Sequence, residues 1–296
     1  MSQFGEFSNF CRDSTIPVCN LFLSGINVPA KSCGLVGFTS GGNQVGNLGA
    51  VILAGIAIIV SGVLLWMAER KTAAVGRREM QILLLGYILV SFAEIFTVGG
   101  FMTSQTTLKW FTGIHIGAIT ATSWVLLLNA IVGYQLLDDG TILSILLVGG
   151  SMLVVFIGTA YIAMDTALGW TDTFVTLKSE GYRNYALYVL YLLFPIISIA
   201  AYFILESVLV LKVLGEKRPM ILLCGAVFFF VIGQVFDFII SVHLCIATSG
   251  KIDGSLFQTL FTLLSVVTLW YFWSSITEDV WIDEPLNPME ETTYGP

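Results

Sequence analysis

Seven stretches of about 20 or more mostly apolar residues dominate this sequence, each long enough to cross a hydrocarbon layer of about 30 Å as a helix. In lipid every backbone N–H and C=O must find its partner within the segment, so runs of this length specify helices. Barrel strands would be shorter and would alternate in polarity. The runs are placed at residues 45–67, 80–102, 110–134, 141–164, 184–211, 220–243 and 254–276. The chain is 56% hydrophobic and 11% charged, against roughly 25% charged in soluble domains, too few charges to cover a water-facing surface. The expected fold is therefore all-α: a polytopic membrane protein with a seven-helix transmembrane bundle over residues 45–276. A cysteine-containing segment over 1–44 precedes it, and an acidic tail over 277–296 follows it. The first 44 residues carry Glu6 before any basic residue and no long apolar stretch, so the first span is expected to double as the targeting signal.

The basic residues fix an expected orientation. Arg70, Lys71, Arg77 and Arg78 follow the first span, and Lys212, Lys217 and Arg218 follow the fifth, while the opposite loops hold only Lys109, Lys178, Arg183 and Lys251. Basic short loops stay cytosolic, which puts the N-terminus in the lumen or outside the cell and the C-terminus in the cytosol. The tail crowds Glu278, Asp279, Asp283, Glu284, Glu290 and Glu291, six of the seven net negative charges. It reads as a solvated end, with a docking or vesicle-sorting segment as the sharper alternative.

Cys11, Cys19, Cys33 and Cys245 fall on the same expected side, facing an oxidising compartment. Two disulfides are expected, with all three connectivities open. Cys224 lies inside the sixth span and is read as an inert packing residue.

No reaction centre stands out. His115 and His243 are the only histidines and occupy different spans, so a three-histidine zinc site is excluded. The seventh span has no lysine for a Schiff base, and no phosphate loop, nucleophile elbow or HExxH occurs. Neither a cofactor, a metal nor a nucleic-acid partner is expected.

In-span Glu94, Asn129, Glu206, Gln234 and Asp237 are costly in lipid and need partners. Gln234 and Asp237, three apart, share one face of the sixth helix. Gly113, Gly117 and Ala121 form a small-residue stripe on the third, which lets another helix approach closely. These residues, with Arg77 and Arg78, are the candidate client or packing surface.

Several ordered segments resemble the fungal chitin synthase export chaperone family. They are residues 71–79 (KTAAVGRRE), 114–117 (IHIG) through Trp124, 133–141 (GYQLLDDGT), 228–235 (FFFVIGQV), 253–257 (DGSLF), 271–273 (YFW) and 276–279 (ITED). Phe7 to Cys11, residues 16–19 (IPVC) and Cys33 extend the likeness to the N-terminal segment. Leu137 and Ser274 depart from it, standing where relatives often carry tryptophan and aspartate. The resemblance implies residence in the endoplasmic reticulum membrane, with chitin synthase as client and the lipid bilayer and vesicle-coat export machinery as further partners. It implies support of the client's folding and export for cell-wall chitin synthesis, and passage to the plasma membrane with the client. The competing readings are a seven-span receptor or transporter, suggested by Glu94, Glu206 and Asp237, and a divergent relative with another membrane client.

Overall fold

A computed structural model of the chain describes residues 4–22, 35–40, 43–135, 140–171, 173–174 and 183–277. Seven helices are long and apolar enough to cross a membrane: Leu48–Arg70, Arg77–Val98, Gln105–Gly133, Ile142–Leu168, Tyr185–Leu214, Arg218–Ala247 and Gly254–Ser275. Two three-residue strands, Phe38–Ser40 and Asn43–Val45, pair antiparallel just before the first span.

The spans sit where the apolar runs lie, but most of the helices run past them. The third begins at Gln105, where the Ser104 side chain accepts the Thr107 N–H, and the fifth follows Asn184, which accepts the Leu187 N–H at 2.9 Å. The fourth continues to Leu168 because Asp165 there accepts the Thr171 and Phe174 N–H groups, holding the following turn against the helix end. The second stops early, at Val98, ahead of the pair Gly99 and Gly100. Polar end turns belong to the helix but not to the apolar run, so hydropathy alone misplaces them.

Six of the helices form a ring in the order first, second, third, fifth, sixth, seventh, and the seventh closes back on the first. The fourth lies outside the ring, packed chiefly on the third, and presents Ile142, Leu146, Leu153 and Ile157 outward. The sixth and seventh cross closely because Gly254 has no side chain: a Cβ there would lie 2.1 Å from the Phe236 carbonyl oxygen.

The N-terminal segment packs into this bundle. A short helix, Ser8–Asp13, and a 3₁₀ turn, Pro17–Phe22, bury Phe7, Cys11, Ile16, Val18 and Leu21 against Ile116 of the third helix, Ala163 and Ala167 of the fourth, and Leu187 and Tyr191 of the fifth. Phe7, Ile16, Val18 and Leu21 are at most 2% exposed. The segment closes one end of the ring, called here the capped end. The other, basic end carries Arg70, Lys71, Arg77, Arg78, Lys212, Lys217 and Arg218. Arg70 stacks on Trp66, its guanidinium 3.7 Å from the ring centroid, as expected of a cation held at a membrane interface.

Candidate functional site

Beneath the cap, two of the costly in-span acids, Asp237 and Glu94, find partners. Thr15 Oγ1 donates to Asp237 Oδ1 at 3.0 Å and lies 3.0 Å from Ser241 Oγ. Asn20 Nδ2 donates to the Thr97 carbonyl at 3.2 Å and to Thr112 Oγ1 at 3.4 Å. Thr97 Oγ1 and His115 Nδ1 lie 2.9 Å apart, and Thr259 Oγ1 donates to Glu94 Oε1. Asn47, at the start of the first helix, donates to Asp253 Oδ1 at 2.8 Å and to Ser255 Oγ at 2.6 Å, pinning that helix to the seventh. The segment thus inserts hydrogen-bonding groups as well as apolar ones into the mouth where a receptor would admit a ligand. On its outer side a recess of about 450 Å³ is lined by Phe4, Glu6, Asn9, Phe10 and Tyr188. Beside it, Arg12 hydrogen-bonds both oxygens of Asp13 at 2.8 Å and holds that carboxyl below the usual aspartate range. This exposed pair adds little stability.

Cys11 and Cys19 are joined in a disulfide that staples the short helix to the 3₁₀ turn, Cα to Cα 5.5 Å. Cys245 is disulfide-bonded as well. Cys33 lies outside the described residues. Cys224 is a free thiol on the outer face of the sixth helix, not the packed residue its in-span position suggests. The exposed series Ile221, Cys224, Phe228, Val231 and Val235 has helical spacing, so the thiol faces lipid.

The small-residue stripe faces the chain's own fourth helix. A Cβ on Gly113 would meet Met164 at 2.8 Å, and one on Gly117 would meet the Phe156 carbonyl oxygen at 2.9 Å and Ala160 Cβ at 3.1 Å; Ala121 is fully buried. Gly113, Gly117 and Ala121 therefore pack against the chain's own residues. Asp237 is likewise no outward surface: it is buried under Thr15. It lies in a π-helical turn, Phe236–Ile240, that breaks the regular register of the sixth helix. Gln234, one turn earlier, is only half-buried and makes no hydrogen bond to any described residue.

At the basic end, Arg78 donates to Glu69 Oε2 at 2.8 Å and to Gln81 Oε1 at 2.9 Å, while Arg77 reaches the Glu69 carbonyl at 3.2 Å. Both are partly exposed in the first turn of the second helix. Glu79 is fully buried and accepts from Ser144 Oγ and the Gly140 N–H, tying the fourth helix to the second. Sequence reading passed over Glu79 because it lies one residue before the second apolar run. It passed over Thr15 and Asn20 because they lie in a segment with no periodicity; Phe7, Ile16, Val18 and Leu21, apolar within polar sequence, were the available signal. Leu137, Lys178 and the acidic tail from Glu278 lie outside the described residues. Among the described residues no three His, Cys, Asp or Glu side chains gather to hold a metal.

These features define a class: a multi-pass helical membrane protein whose helix ring is closed at one end by its own N-terminal segment. The sequence profile of the chitin synthase export chaperone family matches residues 3–285. The chain belongs to that family, which is one of chaperones and not of enzymes. It is 29% identical over 278 residues to a chitin synthase export chaperone of Cryptococcus neoformans var. neoformans serotype D, covering 94% of this chain and 75% of the relative. It is 26% identical over 282 residues to one of Coccidioides immitis, covering 94% and 83%. The chaperone of Chaetomium globosum is 28% identical over 285 residues, covering 93% and 83%. No solved structure matches.

Proposed function

We propose that this protein binds a chitin synthase in the endoplasmic reticulum membrane and supports its folding and export, thereby sustaining cell-wall chitin synthesis. Family membership over residues 3–285 carries the reading. The fold agrees with it. The ring's mouth is closed by residues 4–22, bonded to Asp237 and Thr97 within, so the surfaces left for work are the outer helix faces and the two ends. A membrane escort needs such surfaces and no catalytic group.

In the proposed arrangement residues 1–44 face the lumen, 45–276 form the membrane domain, and 277–296 lie in the cytosol. The Cys11–Cys19 disulfide supports a lumenal capped end, because that compartment keeps such bonds oxidised. The cluster around Arg77, Arg78, Lys217 and Arg218 supports a cytosolic basic end, where anionic headgroups attract cations. The acidic tail is the proposed contact for vesicle-coat machinery, and the complex travels to the plasma membrane. A pull-down of the tagged protein in mild detergent, with bound proteins identified by mass, is expected to recover a chitin synthase. Recovery no greater than from an untagged control would contradict the proposal.

A further inference from the structure

The ring has one loose seam. The fifth and sixth helices follow one another in sequence yet touch sparsely along their length, whereas the first and second, third and fourth, and sixth and seventh pack extensively. Among the described spans, π-helical turns occur in these two helices alone: Tyr188–Leu193 and Leu209–Leu214 in the fifth, Phe236–Ile240 in the sixth. Such turns weaken hydrogen-bond geometry and are frequent where a helix presents a functional group.

Gln234 stands just before the last of them, near the middle of the 30-residue helix Arg218–Ala247 and hence near mid-depth of a bilayer. It is half-buried beside the outward-facing Val231, which is 51% exposed. Its carboxamide makes no hydrogen bond to a described residue, and it is not among the side chains sealed inside the protein. Asp237, on the same helix face, differs: Thr15 bonds it. Acyl chains offer an amide neither donor nor acceptor, headgroups do not reach that depth, and an unpaired amide in hydrocarbon is costly. A polar group carried into the membrane interior on another helix would complete it.

We infer that the seam between the fifth and sixth helices receives a transmembrane helix of the client, with Gln234 hydrogen-bonded to a serine, threonine, asparagine, glutamine or exposed carbonyl on it. The inference rests on the proposed client and adds where that client docks. A second copy of this chain fits less well. A two-fold contact must be self-complementary, and a furrow between two helices accepts a ridge, not another furrow.

The test compares full-length wild type, Gln234→Leu and Gln234→Asn by recovery of the synthase in mild detergent. A photo-crosslinking residue is also placed at Val231 or, as a control on the fourth helix, at Ile157. Gln234→Leu is expected to lower synthase recovery roughly fivefold, the factor for one interhelical hydrogen bond in a membrane. Its thermal stability should stay at or above wild type, because a lone amide has been removed. Gln234→Asn should retain part of the binding, and the crosslink from position 231, but not from 157, should capture the synthase. Synthase recovery unchanged by Gln234→Leu, a fall in its stability, or a crosslink from 231 to a second copy or to lipid alone would overturn the inference. Failure of the wild type to recover a synthase would instead strike the proposed function itself.

Discussion

Gly117 has no room for a side chain, since its Cβ position is already crowded by the Phe156 carbonyl and Ala160 of the fourth helix. Gly117→Leu is therefore expected to cost about 1 to 3 kcal/mol or to part the third and fourth helices, read as a lower melting temperature of the solubilised protein. Gly158→Leu is the control, because nothing lies within 4 Å of that position, and its melting temperature should stay at the wild-type value. Equal effects at both sites would show that the stripe is not a packing seam. Four-residue spacing of small residues was legible in the sequence, but which helix it met was not, because spacing specifies a face and not a partner. The in-span acids posed the same limit. Asp237 announced that it needed a partner, yet Thr15 lies 222 residues away in a segment with no pattern. Thr15→Val removes that donor while keeping the shape, and should cost about 1 to 3 kcal/mol by leaving a buried acceptor unpaired. A melting temperature equal to wild type would refute the bond's role.

At the scale of elements, the seven spans were readable because long apolar runs have one solution in lipid. Their ends were not, because capping residues such as Ser104 and Asn184 are polar and fall outside a hydropathy window. The N-terminal segment was legible only in its chemistry, as cysteines facing an oxidising side, and not in its docking, which depends on a few apolar residues at irregular spacing. Its disulfide makes a direct prediction. Under non-reducing conditions, mass mapping should find Cys11 linked to Cys19. Among the described cysteines, alkylation without reductant should modify Cys224 and spare Cys11, Cys19 and Cys245. Free thiols at Cys11 and Cys19 in protein isolated with alkylation would contradict the staple. Losing it through Cys11→Ser with Cys19→Ser should destabilise the cap by about 2 to 4 kcal/mol, read as faster proteolysis of the N-terminal segment.

For the whole molecule, the basic end and the disulfide-bearing end lie opposite one another, so one topology assay addresses both. In sealed microsomes, added protease should remove a C-terminal tag and spare an N-terminal one. A protected C-terminal tag would reverse the proposed orientation. The central claim is that the chain acts on a client and performs no chemistry of its own, and the most direct measurement follows a tagged chitin synthase in cells lacking this protein. The account predicts that the synthase is held in the endoplasmic reticulum and that restoring the gene releases it to the cell surface. A synthase that reaches the surface and makes normal chitin without this protein would contradict it.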